Sequence, residues 1–80
     1  MEEKNLNQLA DEYARCIENT NIKIAEVLEA LSSARKQRRY MLVSKLNSNL
    51  ATLYRQRTEL IEIEKYLRSY YEDSEVDKAG

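Results

Sequence analysis

The chain has 80 residues, 34% of them charged, with one glycine, no proline, no tryptophan and no phenylalanine; 13 basic residues nearly balance 14 acidic ones, for a net charge of −1. This composition excludes β-sandwiches, barrels and collagen-like chains, and the near-neutral balance excludes a global field for nucleic acid or anionic membrane. The lack of histidine beside a single cysteine, Cys16, excludes an intramolecular disulfide and the usual zinc and haem ligand sets.

No window approaches the roughly 20 apolar residues of a membrane span, and no basic segment followed by an apolar core opens the chain. The expectation is a cytoplasmic, all-α protein with no cofactor, no metal and no membrane partner. Residues Met1 to Asn5 are polar; Asn5 is suited to cap a helix, with Glu2 and Glu3 near its positive end.

The first helix is expected over about residues 5–34. Turning each residue by about 100° gathers Leu6, Leu9, Tyr13, Cys16, Ile17, Thr20, Ile24, Val27, Leu28 and Leu31 on one face. Most charged side chains fall elsewhere, and Ile22 points away from the stripe. Cys16 falls at the edge of the face, where a buried, inert thiol is expected.

The apolar stripe stops where Arg35 and Arg38 occupy its next positions, because two guanidinium groups cannot enter a buried face without partners. A turn is therefore expected over about 35–39. Ser32 and Ser33 favour it, since their hydroxyls compete for backbone hydrogen bonds. The two periodic arms are nearly equal, about 30 residues or about 45 Å each. Folding about residues 36–38 would bring Leu31 near Val43, Ile24 near Leu50 or Leu53, Cys16 near Leu60 and Leu9 near Leu67.

The second helix is expected over about 40–72, followed by a frayed tail at 73–80 that is polar and aperiodic. Leu42, Leu46, Leu53, Leu60, Leu67 and Tyr71 run along the centre of its apolar face. Val43, Leu50 and Ile61 lie on one flank, Ile63 and Tyr70 on the other. Two helices need only a narrow seam between them, so so wide a face predicts a further neighbour. The predicted architecture is one domain: an antiparallel, coiled-coil-like two-helix hairpin that dimerises into a four-helix bundle.

Three groups of residues are candidates for function. Arg35, Lys36, Arg38, Arg39 and Tyr40 form a basic tip able to grip phosphates, with Tyr40 placed to stack on a base; a solvated hairpin end is the plainer account. Thr20, Asn49, Arg57 and Glu64 interrupt the apolar faces as polar layers of the kind that specify oligomer state. Tyr66, Tyr70 and Tyr71 collect at the open end, where rings with polar tips suit a protein interface. Without a glycine-rich phosphate loop, an acid/base pair in a cleft, or enough chain to enclose a substrate, the expected activity is non-enzymatic. The chain reads as a self-associating adaptor, assembly factor or regulator, with nucleic-acid or nucleotide binding at the tip as the alternative.

Overall fold

The computed structural model describes residues 5–79, with side chains for residues 5–70. Two helices, α1 (Leu6–Lys36) and α2 (Tyr40–Ala79), pack against each other along their length. Their side chains fix the direction: Arg57 of α2 bonds Asn21 of α1, and Arg68, further along α2, bonds Asp11, further back on α1. The helices are thus antiparallel, as the expected hairpin requires. The molecule measures 61 × 30 × 14 Å, and its radius of gyration of 18.3 Å far exceeds the roughly 12 Å of a compact domain of this length.

Asn5 starts α1 as expected. Its side-chain oxygen accepts from the Gln8 amide at 2.8 Å, and the Gln8 side chain accepts from the Asn5 amide at 3.2 Å, a reciprocal pair that satisfies two otherwise unpaired donors. Glu2 and Glu3 lie outside the described residues.

The turn is shorter than expected. α1 continues through Ser32 and Ser33 to Lys36, and Ser33 supports the helix end instead of breaking it: its carbonyl accepts from the Gln37 amide, and its hydroxyl pairs with the Gln37 side chain at 3.0 Å. Arg38 then adopts φ 59°, a left-handed conformation. The Arg38 amide donates to the Arg35 carbonyl and the Arg39 amide to the Ala34 carbonyl, closing the helix as a Schellman motif with arginine where glycine is the usual occupant. The Arg39 carbonyl accepts from the Val43 amide at 2.9 Å, so α2 begins one residue later. The break is therefore made by backbone geometry at 37–39, without glycine or proline. At its other end α2 is helical through Ala79, past residue 72, where the pattern places the end; glutamate, lysine and alanine there have good helix propensity.

Where the helices meet, the sheltered residues alternate in steps of three and four. On α1 they run Leu6, Ala10, Tyr13, Ile17, Thr20, Ile24, Val27, Leu31 and Ala34, with Leu9, Glu12 and Ala14 half-buried beside them; on α2 they run Val43, Leu46, Leu50, Leu53, Arg57, Leu60, Glu64 and Leu67, with Arg68 and Ser69 half-buried beside them. Only Ala10, Thr20, Ile24, Leu31, Ala34 and Leu67 are buried; the others are half-buried. This seam corrects the expected faces. Val43 and Leu50 are half-buried along it and Leu42 lies on an exposed flank; on α1, Leu9 and Ile17 of the expected face are half-buried, Cys16 and Leu28 are exposed, and Ala10, which that face omitted, is fully buried. The reason is the period. A repeat of 3.5 residues tracks a partner helix, whereas a straight wheel at 100° per residue drifts from it by about 20° every seven residues.

Candidate interaction surface

The seam divides the surface of the hairpin into two flanks, identified by which residues meet across it. On one flank Arg57 emerges from its half-buried seam position and donates to the Asn21 side-chain oxygen at 2.9 Å, while its guanidinium lies 5.0 Å from the centre of the Tyr54 ring. A cation held over an aromatic face and bonded to a neutral oxygen needs no acidic partner. Further toward the open end, Arg68 bonds Glu64 at 2.8 Å and Asp11 at 3.1 Å. The bond to Glu64, then that to Asp11, pushes the Arg68 guanidinium above its ordinary pKa. The same flank holds a shallow hollow lined by Ala14, Ile17, Glu18, Asn21 and Glu64.

Seven-residue steps extend this flank in two rows. Ala14, Asn21, Leu28 and Arg35 follow one another on α1; Asn47, Tyr54, Ile61 and Arg68 do so on α2. Leu28 is 44% exposed, and Tyr54 and Ile61 are each 38% exposed, so apolar side chains stand open beside the Arg57 group.

The opposite flank is more polar along its middle. There Lys23, Glu26, Asn49, Thr52 and Gln56 border an open hollow over Val27 and Leu53. Its apolar side chains sit toward the two ends: Leu42 near the turn, and Ile63 and Tyr70 near the open end, with Tyr66 beside them. Glu59, Glu62, Ile63 and Tyr66 line a third shallow hollow. Cys16 is exposed on this flank, which corrects the buried thiol expected from the sequence; the seam passes through its neighbour Ile17.

No known protein family matches this chain, and neither a characterised protein nor a solved structure is similar to it. The surface must therefore be interpreted from its own chemistry.

The four polar-layer residues do not form one group. Thr20 is buried but self-sufficient, its hydroxyl donating to the Cys16 carbonyl at 2.8 Å within α1. Arg57 and Glu64 occupy the seam and send their charged ends to the Asn21 flank. Asn49 is exposed on the other flank, seven residues from Gln56. Their partners Asn21, Asp11 and Arg68 were not singled out from the sequence. The i,i+4 spacing of Glu64 and Arg68 could have identified one of them; the cross-helix contacts required the register.

The basic tip is as exposed as expected. Arg35, Lys36, Arg38 and Arg39 face solvent, and Tyr40 and Met41 are 72% and 79% exposed. The first turn of α2 carries no acidic residue, and arginine at its cap position has no acceptor to offer the leading amides. At the open end Tyr66 and Tyr70 are exposed, while the Tyr71 side chain lies outside the described residues. Among the described residues, no group of three or more His, Cys, Asp and Glu could hold a metal ion, and no helix is long and apolar enough to cross a membrane.

Proposed function

We propose that this chain is a non-enzymatic protein–protein interaction module: a coiled-coil-like hairpin that joins a second copy in a four-helix bundle and serves as an adaptor, assembly factor or regulator in the cytoplasm. The observation that carries this reading is apolar surface outside the seam. Leu28, Leu42, Tyr54, Ile61 and Ile63 remain exposed, whereas among the described residues only five apolar ones are buried, two of them alanines. Interfaces of ordinary size remove about 800 Å² from each partner, and exposed apolar and aromatic side chains of this kind are what their centres cover.

The non-enzymatic part rests on the sequence, which has no histidine, and on hollows that are open troughs between side chains instead of enclosed clefts. Cytoplasmic placement agrees with a lone, exposed thiol. Sedimentation equilibrium with small-angle scattering tests the central claim. The expected result is dimeric mass with a longest dimension near the 61 Å of one hairpin. A monomeric mass at about 100 µM, well above the dissociation constant of a micromolar complex, would overturn it.

One observation favours a second reading, phosphate or nucleic-acid binding at the tip: four cations surround a helix start that has neither an acidic residue nor a side-chain cap. Filter binding to RNA and DNA at low salt tests it. Retention that disappears when Arg35, Arg38 and Arg39 are replaced by glutamine supports this reading; retention unaffected by the substitutions, or none in the parent chain, removes it.

A further inference from the structure

Resting on the self-association just proposed, we infer which face a second copy covers and in what orientation: it docks on the Asn21 flank, head to tail, the turn of one hairpin beside the open end of the other. Two observations lead to this arrangement, one selecting the face and the other the direction.

The face is selected by where charge is missing. Between Glu18 and Arg35 the Asn21 flank of α1 presents Asn21, Ala25, Leu28 and Ser32; between Lys45 and Lys65 that of α2 presents Asn47, Ala51, Tyr54, Thr58 and Ile61. The one formal charge that enters this area is the Arg57 guanidinium, already held by Asn21 and Tyr54. Interface centres are depleted in charge and enriched in tyrosine and arginine, and this area has that composition. The opposite flank places Lys23 and Glu26 beside its central hollow, and burying them would cost desolvation without partners. Shape agrees. Ala25 and Ala51 stand at about the same level near the middle of the area, where small side chains let two hairpins approach closely, while Leu28 and Tyr54 project to either side.

The direction is selected by charge along the hairpin. Between Glu29 and Glu59 the chain has seven cations and no acid, and five of these cations lie at or next to the turn, from Arg35 to Lys45. The open end of the described hairpin carries Asp11, Glu12, Glu18, Glu59, Glu62 and Glu64 against Arg15, Lys65 and Arg68. Parallel copies would bring two cationic turns together. Antiparallel copies place each turn against the acidic end of the other and set Arg35, in the same row as Leu28, toward Asp11 and Glu18 of the second copy. A two-fold axis then passes near Ala25 and Ala51, and Leu28 of each copy meets Tyr54 of the other.

Disulfide trapping tests this arrangement in the full chain with Cys16→Ser, a change on the opposite, exposed flank. Near the axis, Ala25→Cys is expected to cross-link to itself under mild oxidation. Away from it, Ser32→Cys is expected to remain uncross-linked alone and to form a mixed dimer with Glu18→Cys, seven residues to the other side of Ala25 in the same row. Self-cross-linking of Ser32→Cys as readily as Ala25→Cys would establish parallel packing and overturn the orientation. Trapping from Lys23→Cys but not Ala25→Cys would overturn the face. Sedimentation of the unoxidised proteins separates these failures from loss of the underlying reading: a dimer that traps wrongly refutes only the present inference, whereas a monomer refutes self-association itself. In parallel, Tyr54→Ala should raise the dimer dissociation constant about 30-fold, as truncation of an interface hot spot does. Gln56→Ala, on the opposite flank, should change it less than about twofold. Equal effects of the two substitutions, with helix content unchanged, would also overturn the chosen face.

Discussion

Replacing Arg38 by glycine should stabilise the protein although it removes a whole side chain. Arg38 sits at φ 59° in the motif that closes α1, where its amide and that of Arg39 bond the Arg35 and Ala34 carbonyls. A side chain with a Cβ pays roughly 1–2 kcal/mol in this left-handed conformation. Glycine avoids that strain but loses more freedom on folding, an offset of roughly 0.5–1 kcal/mol. The net gain is about 0.5–1 kcal/mol, which for a chain of this size raises the melting temperature by about 2–8 °C. Thermal unfolding followed by circular dichroism at one fixed protein concentration measures it, since association would make the midpoint concentration-dependent. Arg38→Ala is the necessary control. It removes the same positive charge from the crowded tip but retains the Cβ, so relief of repulsion from Arg35, Lys36 and Arg39 is common to both variants. The stabilisation must appear in Arg38→Gly relative to Arg38→Ala. Equal melting temperatures for the two would refute the assignment of backbone strain to this position.

Ile24→Ala, at a buried seam position, should cost about 2–4 kcal/mol in urea unfolding, whereas Ile22→Ala, exposed on the outer surface, should cost less than about 0.5 kcal/mol; similar losses would mean that the seam is misplaced. Arg68→Ala should lower the urea midpoint slightly in low salt, and less in 1 M salt, because its bond to Asp11 is solvent-exposed. A salt-independent loss would assign the effect to packing of the arginine stem instead. Arg57→Leu should leave the hairpin helical but alter its oligomeric state or homogeneity in light scattering; an unchanged, uniform dimer would count against a specifying role for Arg57.

The hairpin was legible because the apolar stripe of the first arm and the charge at Arg35 and Arg38 made a continuous buried face impossible. The position of the turn was less so. No residue type announces a left-handed Arg38, and Ser33, which read as a breaker, stabilises the helix end through Gln37. Side-chain size also concealed part of the seam. Ala10 and Ala34 are among the most buried residues, yet alanine contributes little to an apolar stripe, so the predicted face left them out and reached instead to Cys16, which is exposed. On α2 the apolar residues surround much of the helix, and only the position of α1 distinguishes Val43 and Leu50, at the seam, from Leu42 and Ile63, outside it. The candidate surface was legible as residues but not as flanks: Arg57 and Glu64 stood out as interruptions, while Asn21 and Asp11 acquired meaning only when the register placed them opposite Arg57 and Arg68.

That register bears on what the polar seam positions are for. In separate helices, a polar residue within an apolar seam suppresses sliding and alternative pairings, at some cost in stability. Here a turn of three residues, 37–39, already connects the helices and fixes their alignment, so a device against sliding within one chain is redundant. Thr20 agrees with this, since it bonds back into its own helix and reports nothing about α2. Arg57 differs: it leaves the seam, engages Asn21 and Tyr54, and displays a fixed cation in the middle of an otherwise uncharged, partly apolar face. Such a group discriminates among arrangements of that face, because a copy that buried it without accommodating its charge would be penalised. The covalent turn thus determines how α1 meets α2, and the Arg57 group is left to determine how one hairpin meets another. It follows that Arg57→Leu should spare intrachain alignment, seen as retained trapping between cysteines introduced at Ala14 and Ile61 within one chain, while broadening the set of assemblies. Loss of that intrachain trapping would assign Arg57 to the hairpin's own register instead.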